Sequence, residues 1–132
     1  MQLDSTKVII NASKKEVKTF LSDSNNLIHL LPQNAISEFQ SSKKECSFKV
    51  QKGIFISLAQ DGIDNENIFL KSGEKSPFPF KLKIKLKEKD LSTQAYINFN
   101  GEINSFLKML LEKPLSNLFD FMSKKLQDHF AK

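Results

Sequence analysis

Apolar and charged residues alternate without exception from Phe80 to Lys87. Phe80, Leu82, Ile84 and Leu86 stand against Lys81, Lys83, Lys85 and Lys87. A period of two sends alternate side chains to opposite faces, so this stretch predicts a strand with one dry face and one wet face. An antiparallel sheet covered on one side requires that pattern. Ala95, Ile97 and Phe99 repeat it, with Gln94, Tyr96 and Asn98 on the other face. Upstream, the same period predicts a strand over Ile36–Gln40. Another sets Cys46, Phe48 and Val50 against Ser47, Lys49 and Gln51, and a third sets Ile54, Ile56 and Leu58 against Phe55, Ser57 and Ala59. Ile68 and Leu70 mark a further short strand. Turns at Ser41–Lys44, Lys52–Gly53 and Asp64–Asn67, and a two-proline loop from Gly73 to Pro79, separate these segments.

After Gly101 the period changes to that of a helix. Leu107, Leu110, Leu111, Leu115, Leu118, Phe119, Met122 and Leu126 fall on one broad face, and Lys113, Ser116, Asp120, Lys124 and Gln127 fall opposite. Asn104 or Ser105 is placed to cap its first turn. Pro114 lies inside the pattern. Its ring crowds the carbonyl of Leu110 and removes one helical hydrogen bond, which predicts a kink or a break near Glu112. A helix this apolar needs cover, and the sheet is the only partner large enough to supply it.

At the other end, Lys7–Ala12 reads as a strand carrying Val8, Ile9 and Ile10. Ser13 and Glu16 then have the spacing of a capping box before a helix face of Val17, Phe20 and Leu21. Asp23–Asn26 interrupts, Leu27–Leu31 predicts a second short helical segment, and Pro32 closes it. The order is strand, two short helices, six strands and one long helix. The fold class is α+β, with residues 1–132 read as one domain.

Composition narrows the functional classes. The 132 residues carry a formal net charge of +5, and every basic residue is lysine. Planar, bidentate recognition of phosphates or guanine edges is mainly arginine work, so no specific nucleic-acid partner is expected and the basic balance reads as compositional bias. The lysine row Lys81–Lys87 reads as a wetted sheet face that resists aggregation. With Cys46 as the single cysteine, no internal disulfide can form, as suits a reducing compartment. The N-terminus shows no secretory pattern and no apolar run reaches the length of a membrane span. The expected location is the cytoplasm.

This order of elements resembles the START-like, or SRPBCC, superfamily of helix-grip proteins, which includes polyketide cyclases and lipid-transfer domains. The resemblance covers nearly the whole chain. It is carried by the opening Val8-Ile9-Ile10-Asn11-Ala12-Ser13-Lys14-Lys15-Glu16-Val17 with Phe20-Leu21 behind it, by the Leu30-Leu31-Pro32 stop, and by the Leu115-containing helix after Lys113-Pro114. It implies a curved seven-stranded antiparallel sheet gripping the C-terminal helix, with an apolar space between them.

Few residues offer chemistry. His29 and His129 are the only histidines and neither stands in a metal-binding spacing. His129 reads as a last-turn residue suited to the helix C-terminus and His29 as surface or pocket rim. Cys46 reads as a buried, inert thiol. Glu38 and Gln60 would be polar handles if they faced inward, and otherwise lie solvated at a strand end or sheet edge. Phe55, Phe69 and Tyr96 fall on the outward face. No glycine-rich phosphate loop occurs and no cofactor is implied.

The leading expectation is therefore a non-enzymatic domain holding a small apolar molecule between sheet and helix. The expected lining is Phe48, Ile56, Leu58, Leu70, Leu82, Ile84, Ile97, Phe99, Leu111, Leu118 and Met122. The alternatives are an interaction or homodimerisation domain with a filled core, and an enzyme of the cyclase or hydrolase kind.

Overall fold

The computed structural model describes residues 1–50 and 53–131. The elements in chain order are β1 (Gln2–Asp4), β2 (Val8–Ile10), α1 (Lys14–Leu21), a 3₁₀ helix (Ser24–Leu30), β3 (Ser37–Ser41), β4 (Glu45–Lys49), β5 (Phe55–Ile63), β6 (Asn67–Ser72), β7 (Phe80–Lys89), β8 (Ser92–Gly101) and α2 (Ser105–His129). The architecture is a single antiparallel sheet with a long C-terminal helix, the expected helix-grip arrangement.

The strand order is β1-β8-β7-β6-β5-β4-β3, and β2 also pairs with β8. The chain from β3 to β8 is a meander in which each strand pairs with its successor. The first position of the sheet is shared. β1 pairs Leu3 with Phe99, and β2 pairs Ile9 with Gln94, both along β8. The expected Lys7–Ala12 strand is thus shorter than the pattern implied, and an unexpected strand precedes it. The register of the central hairpin sets Leu82 beside Phe99 and Ile84 beside Ile97, so one face of β7 and β8 is continuously apolar. On the other face Lys83 stands beside Asn98 and Lys85 beside Tyr96.

Capping residues fix where the helices start. The Ser13 hydroxyl accepts from the Glu16 N–H at 3.2 Å, and itself donates to the Glu16 carboxylate at 3.3 Å. The second helical segment is a 3₁₀ helix that begins earlier than expected, because the Asp23 carboxylate accepts from the Asn25 N–H at 3.0 Å and starts the turn there. Asn104, rather than Ser105, caps α2 and accepts from the Leu107 N–H at 2.9 Å.

Of the kink or break expected near Glu112, the break does not occur: α2 is helical without interruption through Pro114. Proline removes one hydrogen bond, whereas Leu111 and Leu115 on either side of it are buried in the same core. Burial of both halves against one surface outweighs the single lost bond. The helix lies against β1, β2, β8 and the 3₁₀ helix. The turn expected at Lys52–Gly53 falls partly outside the described residues, as does Gln51. Gly53 itself has φ +73, a conformation that favours glycine. Among the described residues no helix is long and apolar enough to cross a membrane.

Candidate functional site

Two concavities stand out, one apolar and one polar. The apolar opening has a volume of about 200 Å³ and is lined by Pro32, Ala35, Ile36, Val50, Pro114, Asn117, Leu118 and Phe121. Four stretches of chain meet there. Pro32 follows the 3₁₀ helix, whose end Leu31 closes in an extended conformation (ψ 146), and the Ala35 N–H donates to the Pro32 carbonyl at 2.9 Å to form a tight turn. Ile36 leads into β3. Val50 lies just past β4, two residues beyond the buried Phe48 and on the same face. Pro114, Asn117, Leu118 and Phe121 recur at helical spacing on α2. The only side chain with a polar group among these is Asn117.

The second concavity, about 570 Å³, lies on the opposite, wet face of the sheet over β3 to β6. Its floor holds Ser47 and Ser57, which face each other across β4 and β5. The loop after β6 closes one side. The Gly73 N–H and the Ser76 hydroxyl both donate to the Ser57 carbonyl, at 2.9 and 3.2 Å, and Ser76 Oγ accepts from the Ser57 N–H at 2.8 Å. A β-carbon at Gly73 would press on the Ser57 side chain, whose hydroxyl would have to turn aside. Lys75 reaches across to Gln40 Oε1 at 3.2 Å and lies over the Phe55 ring. Lys71 and Lys75 are balanced by Glu45 and Glu74, so this groove is a mixed-charge polar surface.

All eleven residues expected to line an apolar space are buried. The structure brings Leu118, 7 % exposed, to the edge of the apolar opening. The other ten, Phe48, Ile56, Leu58, Leu70, Leu82, Ile84, Ile97, Phe99, Leu111 and Met122, belong to the core and line neither concavity. Aromatic side chains fill much of the space around Phe99, whose ring centroid lies 5.1 Å from that of Phe80 and 5.2 Å from that of Phe119. Phe78, in the loop read only as irregular, is buried and joins them at 6.5 Å from Phe99.

Sequence reasoning missed Ala35, Ile36, Val50, Asn117 and Phe121 as lining. Pro32 and Pro114 were visible as chain-direction signals, but nothing local says that two such positions share one rim.

The remaining polar candidates resolve plainly. Glu38 is exposed on the edge strand β3, has φ 54, and pairs with Lys49 at 2.7 Å. Gln60 is half-buried and donates from Nε2 to the carbonyls of Ser22 and Lys43, tying α1 to the β3–β4 turn. Cys46 is buried, and burial first, then the nearby Glu45 carboxylate, pushes its thiol up to about 12. Phe55, Phe69 and Tyr96 are half-buried on the outward face, with Lys49 over Phe55 at 5.1 Å and Lys7 over Tyr96 at 5.4 Å. Among the described residues no three His, Cys, Asp or Glu side chains cluster as metal ligands.

No protein-family model matches the chain, and no curated protein matches it. Solved structures do. A START superfamily protein from Mycobacterium smegmatis is 13 % identical, with 98 % of this chain and 96 % of that one covered at a TM-score of 0.68. A protein from Thermus thermophilus is 12 % identical over 98 % and 97 % of the two chains, with a TM-score of 0.76. An uncharacterised protein from Bacillus thuringiensis is 15 % identical over 98 % of each chain, with a TM-score of 0.73. At these identities the likeness establishes a shared fold, one that a START superfamily protein has, and leaves activity to be argued from the site.

Proposed function

We propose that this chain is a single START-like domain that binds a small apolar ligand without chemical conversion. The ligand enters at the opening between α2 and the Pro32–Ile36 turn. The observation that carries this reading is the lining of that opening: among the described residues, seven of the eight side chains that line it are apolar, and the eighth is Asn117. An apolar concavity with one polar group that sets orientation is the usual form of a binding site for apolar molecules. General acid–base or nucleophilic catalysis needs converging polar groups, which this lining does not bring together. At about 200 Å³ the opening is smaller than the roughly 300–1,000 Å³ that holds drug-sized ligands. A narrow alkyl chain, such as that of a medium-length fatty acid, suits it better than a polycycle.

A thermal-shift series with medium-chain fatty acids and a sterol tests this. A ligand at 100 times its dissociation constant adds about 2.7 kcal/mol and raises the melting temperature. The fatty acids are expected to do so and the sterol is not. Ala35→Trp, at the half-exposed rim, fills the opening and should abolish the shift while leaving the ligand-free melting temperature near wild type. No shift with any apolar compound overturns the reading.

A second reading, an interaction domain, draws on one observation. Phe106 and Met109 on α2 are 63 % and 76 % exposed, and Phe121 further along is 39 % exposed. Ligand-free dimers in native mass spectrometry would favour it.

A further inference from the structure

The two histidines stand 100 residues apart in the chain and meet on the surface. His29, in the 3₁₀ helix, and His129, in the last turn of α2, have ring centroids 6.0 Å apart with planes inclined at 29°. Both side chains are exposed. Phe20 from α1 packs against the pair, with centroids 4.2 Å from His129 and 6.4 Å from His29, and Phe130 meets His129 edge-on at 5.0 Å. Three elements therefore hold the two imidazoles side by side at the solvent boundary.

We propose that His29 and His129 form a two-imidazole site for a borderline divalent transition metal such as Zn²⁺, Ni²⁺ or Cu²⁺. Imidazole nitrogen suits these ions, whereas Mg²⁺ and Ca²⁺ take oxygen ligands. A metal bound to one nitrogen of each ring at about 2.0–2.1 Å sets the ring centroids roughly 4.5–6.3 Å apart, between a right-angled and a linear arrangement. The observed 6.0 Å lies in that interval, a spacing that one ion can span once each ring turns a nitrogen toward the other. The neighbouring Asp128 carboxylate is engaged by Lys124 at 3.5 Å. The protein thus supplies two ligands and water fills the other positions. A metal held there ties the end of α2 to the 3₁₀ helix that runs into Pro32. The site does not depend on the ligand-binding reading.

Titration of untagged protein with Zn²⁺, followed by NMR of the imidazole side chains, tests this. The signals of both histidines should move together, saturate with a common dissociation constant and return with a chelator. His29→Gln and His129→Gln should each weaken Zn²⁺ binding by about tenfold or more. Both positions are exposed, so the variants should melt like wild type in the presence of chelator, which confirms that they fold. The proposal is overturned if Zn²⁺ moves only one histidine or neither, or if either variant binds as tightly as wild type.

Discussion

Ser5 and Ser123, 118 residues apart, share a buried hydroxyl–hydroxyl hydrogen bond of 2.7 Å. Ser5 sits between β1 and β2, and its Oγ also accepts from the Ile97 N–H at 2.7 Å. Beside it, the Thr6 N–H donates to the Asp120 carboxylate at 2.7 Å. The crossing from β1 to β2 is thereby pinned to both β8 and α2. Buried polar groups left without partners cost about 1–3 kcal/mol. Ser5→Ala strands the Ile97 N–H and the Ser123 hydroxyl together, so a loss of this size is expected in urea unfolding. Ser123→Ala leaves Ser5 with Ile97 and should cost less. Equal effects would show that the Ile97 contact contributes nothing.

Leu118 joins the core to the rim of the apolar opening. Truncating a buried leucine costs about 2–5 kcal/mol, the larger values going with cavities that cannot relax. Leu118→Ala opens onto an existing concavity, so a loss near the lower end is expected, seen as a drop of many degrees in melting temperature. Leu111→Ala, fully enclosed, should cost more.

Pro114 interrupts no helix, but it still withholds a donor from the Leu110 carbonyl. Proline in a helix interior is less favourable than alanine by about 3 kcal/mol in model helices. Pro114→Ala should raise the melting temperature. Because Pro114 also lines the opening, the same change should alter the response to fatty acids. A lowered melting temperature would mean that the ring's packing outweighs the missing bond.

Cys46 makes stability fall at alkaline pH. Burial pushes its folded-state value up to about 12, against 9.0 for an unperturbed thiol. Between these values the unfolded chain loses the thiol proton and the folded chain keeps it. The unfolded state is then favoured increasingly as pH rises, by up to about 1.4 kcal/mol per unit. Below pH 9 the effect is absent. Comparing Cys46→Ala with wild type from pH 8 to 11 should isolate it: the variant is less stable at neutral pH and loses less on going alkaline. The native thiol should also resist alkylation at pH 8 until urea unfolds the chain.

The meander was legible because its information is local. The alternation of Phe80, Leu82, Ile84 and Leu86 with four lysines states both the strand and its dry face, and β8 answers it across a short turn. The α2 stripe from Leu111 to Leu126 is equally plain, since residues three and four apart share a face in any helix. Cys46 could be placed on the dry side by the same parity. Ser13 and Asn104 announced helix starts because a cap acts within three residues.

What these patterns leave open is which distant segments meet. Nothing between Gln2 and Ile10 tells that two short strands share β8, or that Ser5 between them reaches Ser123. The apolar opening is drawn from Pro32, Val50, Pro114 and Phe121, and the imidazole pair from His29 and His129, positions with no common period. Local propensity is a property of a few adjacent residues and is expressed wherever those residues stand. A contact across a hundred residues must overcome the entropy of closing the intervening chain, and here the shared burial of the whole sheet against α2 repays it. The elements and their faces can therefore be read from the chain, while the places where those faces meet follow from the packing of the core as a whole.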